Sequence, residues 1–169
     1  FRSRDFEQME LEFFIKPDEA IEAVCGSVAP WSEGADLSKP QDNWGWELWH
    51  RYWVKERTDY YASIGLGADV LAYHWQTKEE LAHYARACVD ILFKFPFGTE
   101  ELEGIAARGD FDLSQHQKHS KKPQDVFDEE VKNAFAKWTA EQKAALIERK
   151  KAEQHAKGAT GLTDAETEA

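Results

Sequence analysis

The chain is 169 residues long, enough for one domain with a real core, and its 42% hydrophobic and 31% charged content is the balance of a soluble globular protein. A formal net charge of −11 argues against a broad nucleic-acid-binding face, and no run of about 18 apolar residues is present to span a membrane. Cys25 and Cys88 stand alone, without a CxxC pair or a surrounding His cluster, which argues against a disulfide framework or a zinc site and for a reducing, cytoplasmic compartment.

Residues 1–15 (FRSRDFEQMELEFFI) alternate in character. Arg2, Arg4, Phe6, Gln8, Glu10 and Glu12 fall on even positions; Met9, Leu11, Phe13 and Ile15 fall on odd ones. Successive side chains of a strand point to opposite faces, so the pattern predicts a strand with one polar and one apolar face, ended by Lys16-Pro17-Asp18. The first residue is Phe1 and already reads as mid-strand, so the sequence reads as a piece of a longer chain without a signal peptide at its start.

From 18 to 41, Pro30, Gly34 and Pro40 interrupt any period, predicting a short helix over 19–24 and then a loop or insertion. Trp46, Trp49, Trp53, Tyr60 and Ile64 have the spacing of an amphipathic helix closed by Gly65. Thr77 and Glu80 have the form of a capping box, predicting a second helix through Leu81, Tyr84 and Ala85. Residues 89–95 and 101–106 read as two strands of a hairpin around Phe97-Gly98-Thr99. Beyond Asp128 the composition shifts to Ala, Lys, Glu and Gln, predicting one charged helix to about Lys157 and a flexible tail over 158–169. Helices and strands interleave without regular βαβ spacing, so the expected class is α+β with an antiparallel sheet.

Arg2, Phe6 and Glu10 are four residues apart and so share one strand face, roughly 13–14 Å from one to the next. A guanidinium suits phosphate oxygens, an aromatic ring suits a purine, and a carboxylate pairs with an ammonium. A solvated face with idle charges has the same pattern, and periodicity leaves both readings open. The Trp46/Trp49/Trp53 stripe reads as packing, and His83, His116 and His119 lack metal-ligand spacing. Cys25 and Cys88 read as small buried residues, and the Lys/Glu run at 148–153 as a solvated helix face.

The string Arg2-Ser-Arg-Asp-Phe6-Glu-Gln-Met-Glu10 resembles the second half of motif 2 of class II aminoacyl-tRNA synthetases. Arg4-Asp-Phe-Glu-Gln-Met-Glu-Leu-Glu-Phe-Phe14, His50-Arg-Tyr-Trp-Val-Lys-Glu-Arg57, Leu81-Ala-His-Tyr-Ala85 and Asp90-Ile-Leu-Phe-Lys-Phe-Pro-Phe-Gly98 resemble bacterial-type glycyl-tRNA synthetases. So does Glu101-Leu-Glu-Gly-Ile-Ala-Ala-Arg-Gly-Asp-Phe-Asp-Leu113 with His116 and His119-Ser-Lys-Lys after it, in the family's order through about residue 130.

That resemblance implies an α+β class II catalytic domain, in part, over 1–130, a helical insertion over 131–157 and a tail over 158–169. It implies ATP bound by Arg2, on its phosphates, and by Phe6, on adenine. Glu10 would hold the ammonium of glycine and Arg108 its carboxylate. Glu101 would sit near the Mg²⁺ of ATP, with Glu103, expected on the same strand face, as a weaker candidate. Glycine offers no side chain to recognise, so selectivity comes from excluding larger ones. The implied reaction is ATP-dependent formation of glycyl-adenylate and transfer of glycine to tRNA(Gly), by a cytoplasmic homodimer. The first half of motif 2, motif 1 and motif 3 have no counterpart in the 169 residues, so the stretch alone is expected not to activate glycine. Gly109 stands where the family commonly has Thr, and the 18–41 segment is longer than usual. The alternative is a synthetase-like module that has lost catalysis and serves binding or regulation; the matched set of Arg2, Phe6, Glu10, Glu101 and Arg108 counts against it.

Overall fold

The computed structural model describes the backbone of residues 7–158 and the side chains of 7–152. Helix α1 (Asp18–Cys25) follows Pro17, whose φ of −64° suits a helix start, and ends at Gly26, whose φ of 82° closes the last turn with a bond to Glu22 O. Helix α2 (Trp46–Ser63) is the long one, and Asp18 reaches across to accept a hydrogen bond from Trp46 N at 3.2 Å. Gly45, just before it, has no room for a side chain: a Cβ there would lie 2.7 Å from Val28 Cγ1. At the other end Leu66 N bonds to Tyr61 O and Gly65 N to Ala62 O, with Gly65 at φ 91°, the glycine stop expected for this helix.

Strands β1 (Leu71–Trp75), β2 (Ala85–Phe95) and β3 (Gly98–Arg108) form an antiparallel sheet in the order β1-β2-β3. The hairpin was expected; β2 begins four residues earlier than predicted, and β3 extends beyond its predicted range at both ends. One face of the sheet lies under α2. Val89 and Ile91 on that face are 0% exposed, and Tyr61, Leu71 and Ile91 form the core with Leu66, Val70, Phe93, Leu102 and Ile105. Each such fully buried aliphatic side chain contributes roughly 1.5–3 kcal/mol. His50 of α2 is buried against the same face and donates from Nε2 to Ile105 O at 2.8 Å.

Helix α3 (Phe111–Ser120) continues from β3, and α4 (Glu129–Ala136) and α5 (Ala140–Gly158) complete the described chain. The single charged helix predicted beyond Asp128 is thus two helices, separated at Thr139, which starts α5 by exchanging bonds with Gln142. The face over 148–152 is exposed as expected, and two of its cations also reach α1: Arg149 pairs with Glu22 at 2.7 Å and Lys150 with Glu19. Residues 159–169, expected as a tail, lie outside the described residues.

Three other expectations are corrected. Residues 7–17 form no strand; Met9 is 94% and Phe14 83% exposed, while Phe13 packs 5.0 and 5.2 Å from the rings of Trp49 and Trp53 and Lys16 pairs with Glu130 at 2.7 Å. Alternation prepares a segment for pairing, but a strand also needs a partner ladder, and none of β1–β3 pairs with this one. The capping box does form, with Thr77 N donating to Glu80 at 2.8 Å, yet only turns follow before the chain enters β2 at Ala85. Tertiary pairing with β3 overrides the local start signal there. Cys25 is exposed rather than buried, because it closes α1 on the surface, and Cys88 is half-buried.

Candidate functional site: the open face of the sheet

The side of the sheet away from α2 carries the site. Strand register assigns each residue to a face. Val89, Ile91 and their partners Ile105 and Glu103 look toward α2, while Cys88 and Asp90, paired with Ala106 and Gly104, look away. Between Ile91 and Leu92 the register shifts: Ile91 pairs with Glu103 but Leu92 with Glu101, leaving Leu102 as the extra residue of a bulge. That one residue turns Glu101 to the open face and leaves Glu103 under α2. The expectation that both glutamates share a face is therefore corrected, since a two-residue period fails across a bulge.

Glu103 is occupied in the core region. Arg57 Nε lies 2.8 and 2.9 Å from its two oxygens, and Tyr61 donates its hydroxyl to it at 2.6 Å. Burial first, and then the bond to Glu103, pushes the Tyr61 phenol up to about 12. Glu103 thus pins α2 to the sheet. His50, a few turns away on α2, has its pKa lowered by burial and is held neutral against the Ile105 carbonyl.

On the open face Glu101 and Arg108 lie on the same strand, with Gly104 and Ala106 between them. A Cβ on Gly104 would stand 3.3 Å from Glu101 Oε1 and 3.5 Å from Asp90 Oδ1, so both carboxylates border the space this glycine leaves. Asp90 accepts from Gln76 Nε2 at 2.9 Å and from the Cys88 thiol at 3.7 Å. Burial, then the charge of Asp90 and more weakly that of Glu101, drive the Cys88 thiol up to about 11, which keeps it protonated and a poor nucleophile. Nearby, His74 lies 3.3 Å from Glu80, whose carboxyl is held below its usual range chiefly by the Thr77 backbone bond.

Arg108 ends β3. Its guanidinium rests 4.4 Å from the centre of the Tyr84 ring, and Nη1 is 3.9 Å from Asp112. Gly109 N bonds to Tyr84 O at 2.8 Å, which fixes the corner where β3 gives way to α3. The guanidinium is oriented by the ring yet 63% exposed, so its planar donors remain available to a carboxylate or phosphate. Among the described residues no three His, Cys, Asp or Glu gather into a metal cage. One or two carboxylates beside an open space are the donor set for a hard cation that brings its own phosphates and water, and Glu101 with Asp90 fits that chemistry.

The other expected residues are not brought to this face. Glu10 is exposed on the extended segment and accepts from Gln8 at 3.0 Å; none of the described contacts links it to Glu101 or Arg108. Arg2 and Phe6 lie outside the described residues. A separate groove of about 460 Å³ lies by α1, lined by Phe13, Ile21, Trp44 and Trp49 together with Lys16, Cys25 and Glu130. Asp90, Gln76 and Gly104 escaped the sequence reading. An acid between Val89 and Ile91 in an otherwise apolar strand was the available signal for Asp90, because only one face of that strand can then be buried.

No protein-family model matches the chain. It is 46% identical over 118 residues to a glycine–tRNA ligase of Thermus thermophilus, covering 70% of this chain and 18% of that protein. It is 40% identical over 141 residues to the ligase of Clostridium tetani (83% and 25%) and 38% identical over 149 residues to that of Thermobifida fusca (86% and 27%). The α+β domain therefore falls among the aminoacyl-tRNA ligases. Within them the chain belongs to the glycine–tRNA ligase family, and it spans about a quarter or less of the length of the curated relatives it matches.

Proposed function

We propose that the chain provides one wall of the catalytic domain of a class II glycine–tRNA ligase and acts as part of a longer, homodimeric, cytoplasmic enzyme. The observation that carries this reading is the pairing of Glu101 and Arg108 on one open sheet face, with only small side chains between them. A zwitterionic amino acid needs a cation for its carboxylate and an anion for its ammonium. Arg108 takes the first part and Glu10 the second. Arg2 contacts the ATP phosphates and Phe6 stacks on adenine. Residues 1–130 form this wall, and 131–157 an inserted helical element.

The chemistry needs no protein nucleophile. An oxygen of the glycine carboxylate attacks the α-phosphorus of ATP, the bond to pyrophosphate breaks, and glycyl-adenylate results. A hydroxyl at the tRNA(Gly) 3′ end then attacks the glycyl carbonyl, releasing AMP. Arg108 aligns the attacking carboxylate, and restriction of its motion supplies much of the rate. Glu101 would hold Mg²⁺ at the phosphate end, where the ion would neutralise charge on the phosphates.

Glycine-dependent ATP–pyrophosphate exchange tests the reading. The 169-residue chain alone is expected to give none, and the complete ligase carrying it to exchange with glycine but not with alanine or serine. Robust exchange by the complete ligase with another amino acid, or unchanged exchange in both Arg108→Ala and Glu10→Ala, sinks the assignment.

A further inference from the structure

Acidic residues outnumber basic ones 32 to 21 in this chain, yet positions 113–124 contain no Asp or Glu and carry Lys118, Lys121 and Lys122 with His116 and His119. All five are exposed. Several other lysines of the described residues are paired: Lys16 with Glu130, Lys55 with Asp59, Lys150 with Glu19 and Lys151 with Glu148. Lys118, Lys121 and Lys122 have no ion-pair partner among the described residues.

The local backbone holds them together. Lys121 adopts a left-handed φ of 58°, alone among the described non-glycine residues, and its N–H closes the helix on Gln117 O at 3.0 Å. Lys122 N donates to Ser120 Oγ at 3.2 Å, and Gln124 N donates to the Gln117 side chain at 2.9 Å, folding 121–124 back on the end of α3. Favourable interaction with the helix dipole accounts for Lys118 and His119 in the last turn. It does not account for Lys121 and Lys122, which lie past the helix end.

We propose that this turn is a phosphate-contact surface for RNA, engaging the backbone behind the 3′ end that reaches Arg108. The choice of RNA rests on the ligase reading above. The geometry fits, because α3 begins three residues after Arg108 and its ten residues carry the chain about 15 Å along its axis. An RNA whose terminal hydroxyl attacks a glycyl group held at Arg108 must lay preceding phosphates within that range. Three exposed lysines within five residues, on a stretch over 113–124 without Asp or Glu, attract them by charge.

Binding of the 169-residue chain to a dye-labelled RNA hairpin with a single-stranded 3′ overhang, titrated at several salt concentrations, provides the test. The wild type is expected to bind weakly, with log affinity falling as log salt rises. K118S/K121S/K122S should lower that slope by roughly 2–3 and weaken binding at low salt by about tenfold or more. The corresponding triple Lys→Arg variant should keep the wild-type slope, and K55S/K143S, away from this turn, should leave it unchanged. Equal slopes for wild type and the triple serine variant, an equal loss in K55S/K143S, or no RNA binding by the wild type overturns the proposal. Exchange activity does not enter this assay. A slope change with a complete ligase that fails to exchange glycine removes the ligase reading but not the RNA surface; the converse result removes only the surface.

Discussion

The two faces of the sheet come from the same three strands and have opposite characters. Toward α2, Val89, Ile91, Leu71 and Tyr61 exclude water, and the charged and titratable groups His50 and Glu103 are engaged, His50 on a carbonyl and Glu103 on Arg57 and Tyr61. On the other face Asp90, Glu101 and Arg108 stand among Gly104, Ala106 and Ala72. Small residues in a strand contribute little packing, so that face gives up burial for space above charged groups. The contrast teaches that a charged residue's meaning depends on its face. Glu103 and Glu101 are two positions apart, and the Leu102 bulge makes one a structural pin and the other a candidate ligand.

Substitutions can break or sharpen this contrast. The largest effect is expected on the covered face: Ile91→Ala should cost about 2–5 kcal/mol in urea-melt stability, through lost burial and the cavity left behind. On the open face Arg108→Ala should change stability by under about 0.5 kcal/mol while lowering glycine-dependent exchange of the complete ligase about a hundredfold. A matching stability loss there would erase the distinction between the faces. Glu103→Ala is expected to destabilise by about 1–3 kcal/mol, because it strands the Arg57 and Tyr61 donors, and Glu103→Gln should recover part of it. Gly104→Ala should alter stability by under about 1 kcal/mol but reduce exchange, since the new methyl meets Glu101 at 3.3 Å and displaces its carboxylate.

The smallest effect is a pH dependence. Burial lowers the His50 pKa in the folded state, so below about pH 6.5 the unfolded chain binds the extra proton first. Stability should therefore be full above that value and decline as pH falls through it toward the folded pKa. His50→Gln should flatten that part of a thermal-melt profile measured from pH 5 to 8.

Much of this was legible in the amino-acid order. Helices over 19–24 and 46–64, the glycine stop at Gly65 and the hairpin after residue 89 were read correctly because short-range chemistry governs them: helical spacing, a left-handed cap and turn residues. Within the strand expected over 1–15, the described residues 7–15 were misread, and so was the helix after Thr77, for one shared reason. Both had a local signal whose outcome depends on a distant partner. Residues 7–17 have no ladder to join, and the segment from Ala85 has β3.

The sequence by itself determined the α+β class, the apolar strands, the long aromatic helix and the family, all of which rest on residue type and spacing. The tertiary structure alone decided that Glu101 and Arg108 share an open face, that Glu103 does not, and that Asp90 and Gly104 border the same space. The physical reason is register. One extra residue at Leu102 reverses the face of everything beyond it, and a bulge is set by how two strands meet rather than by either strand alone.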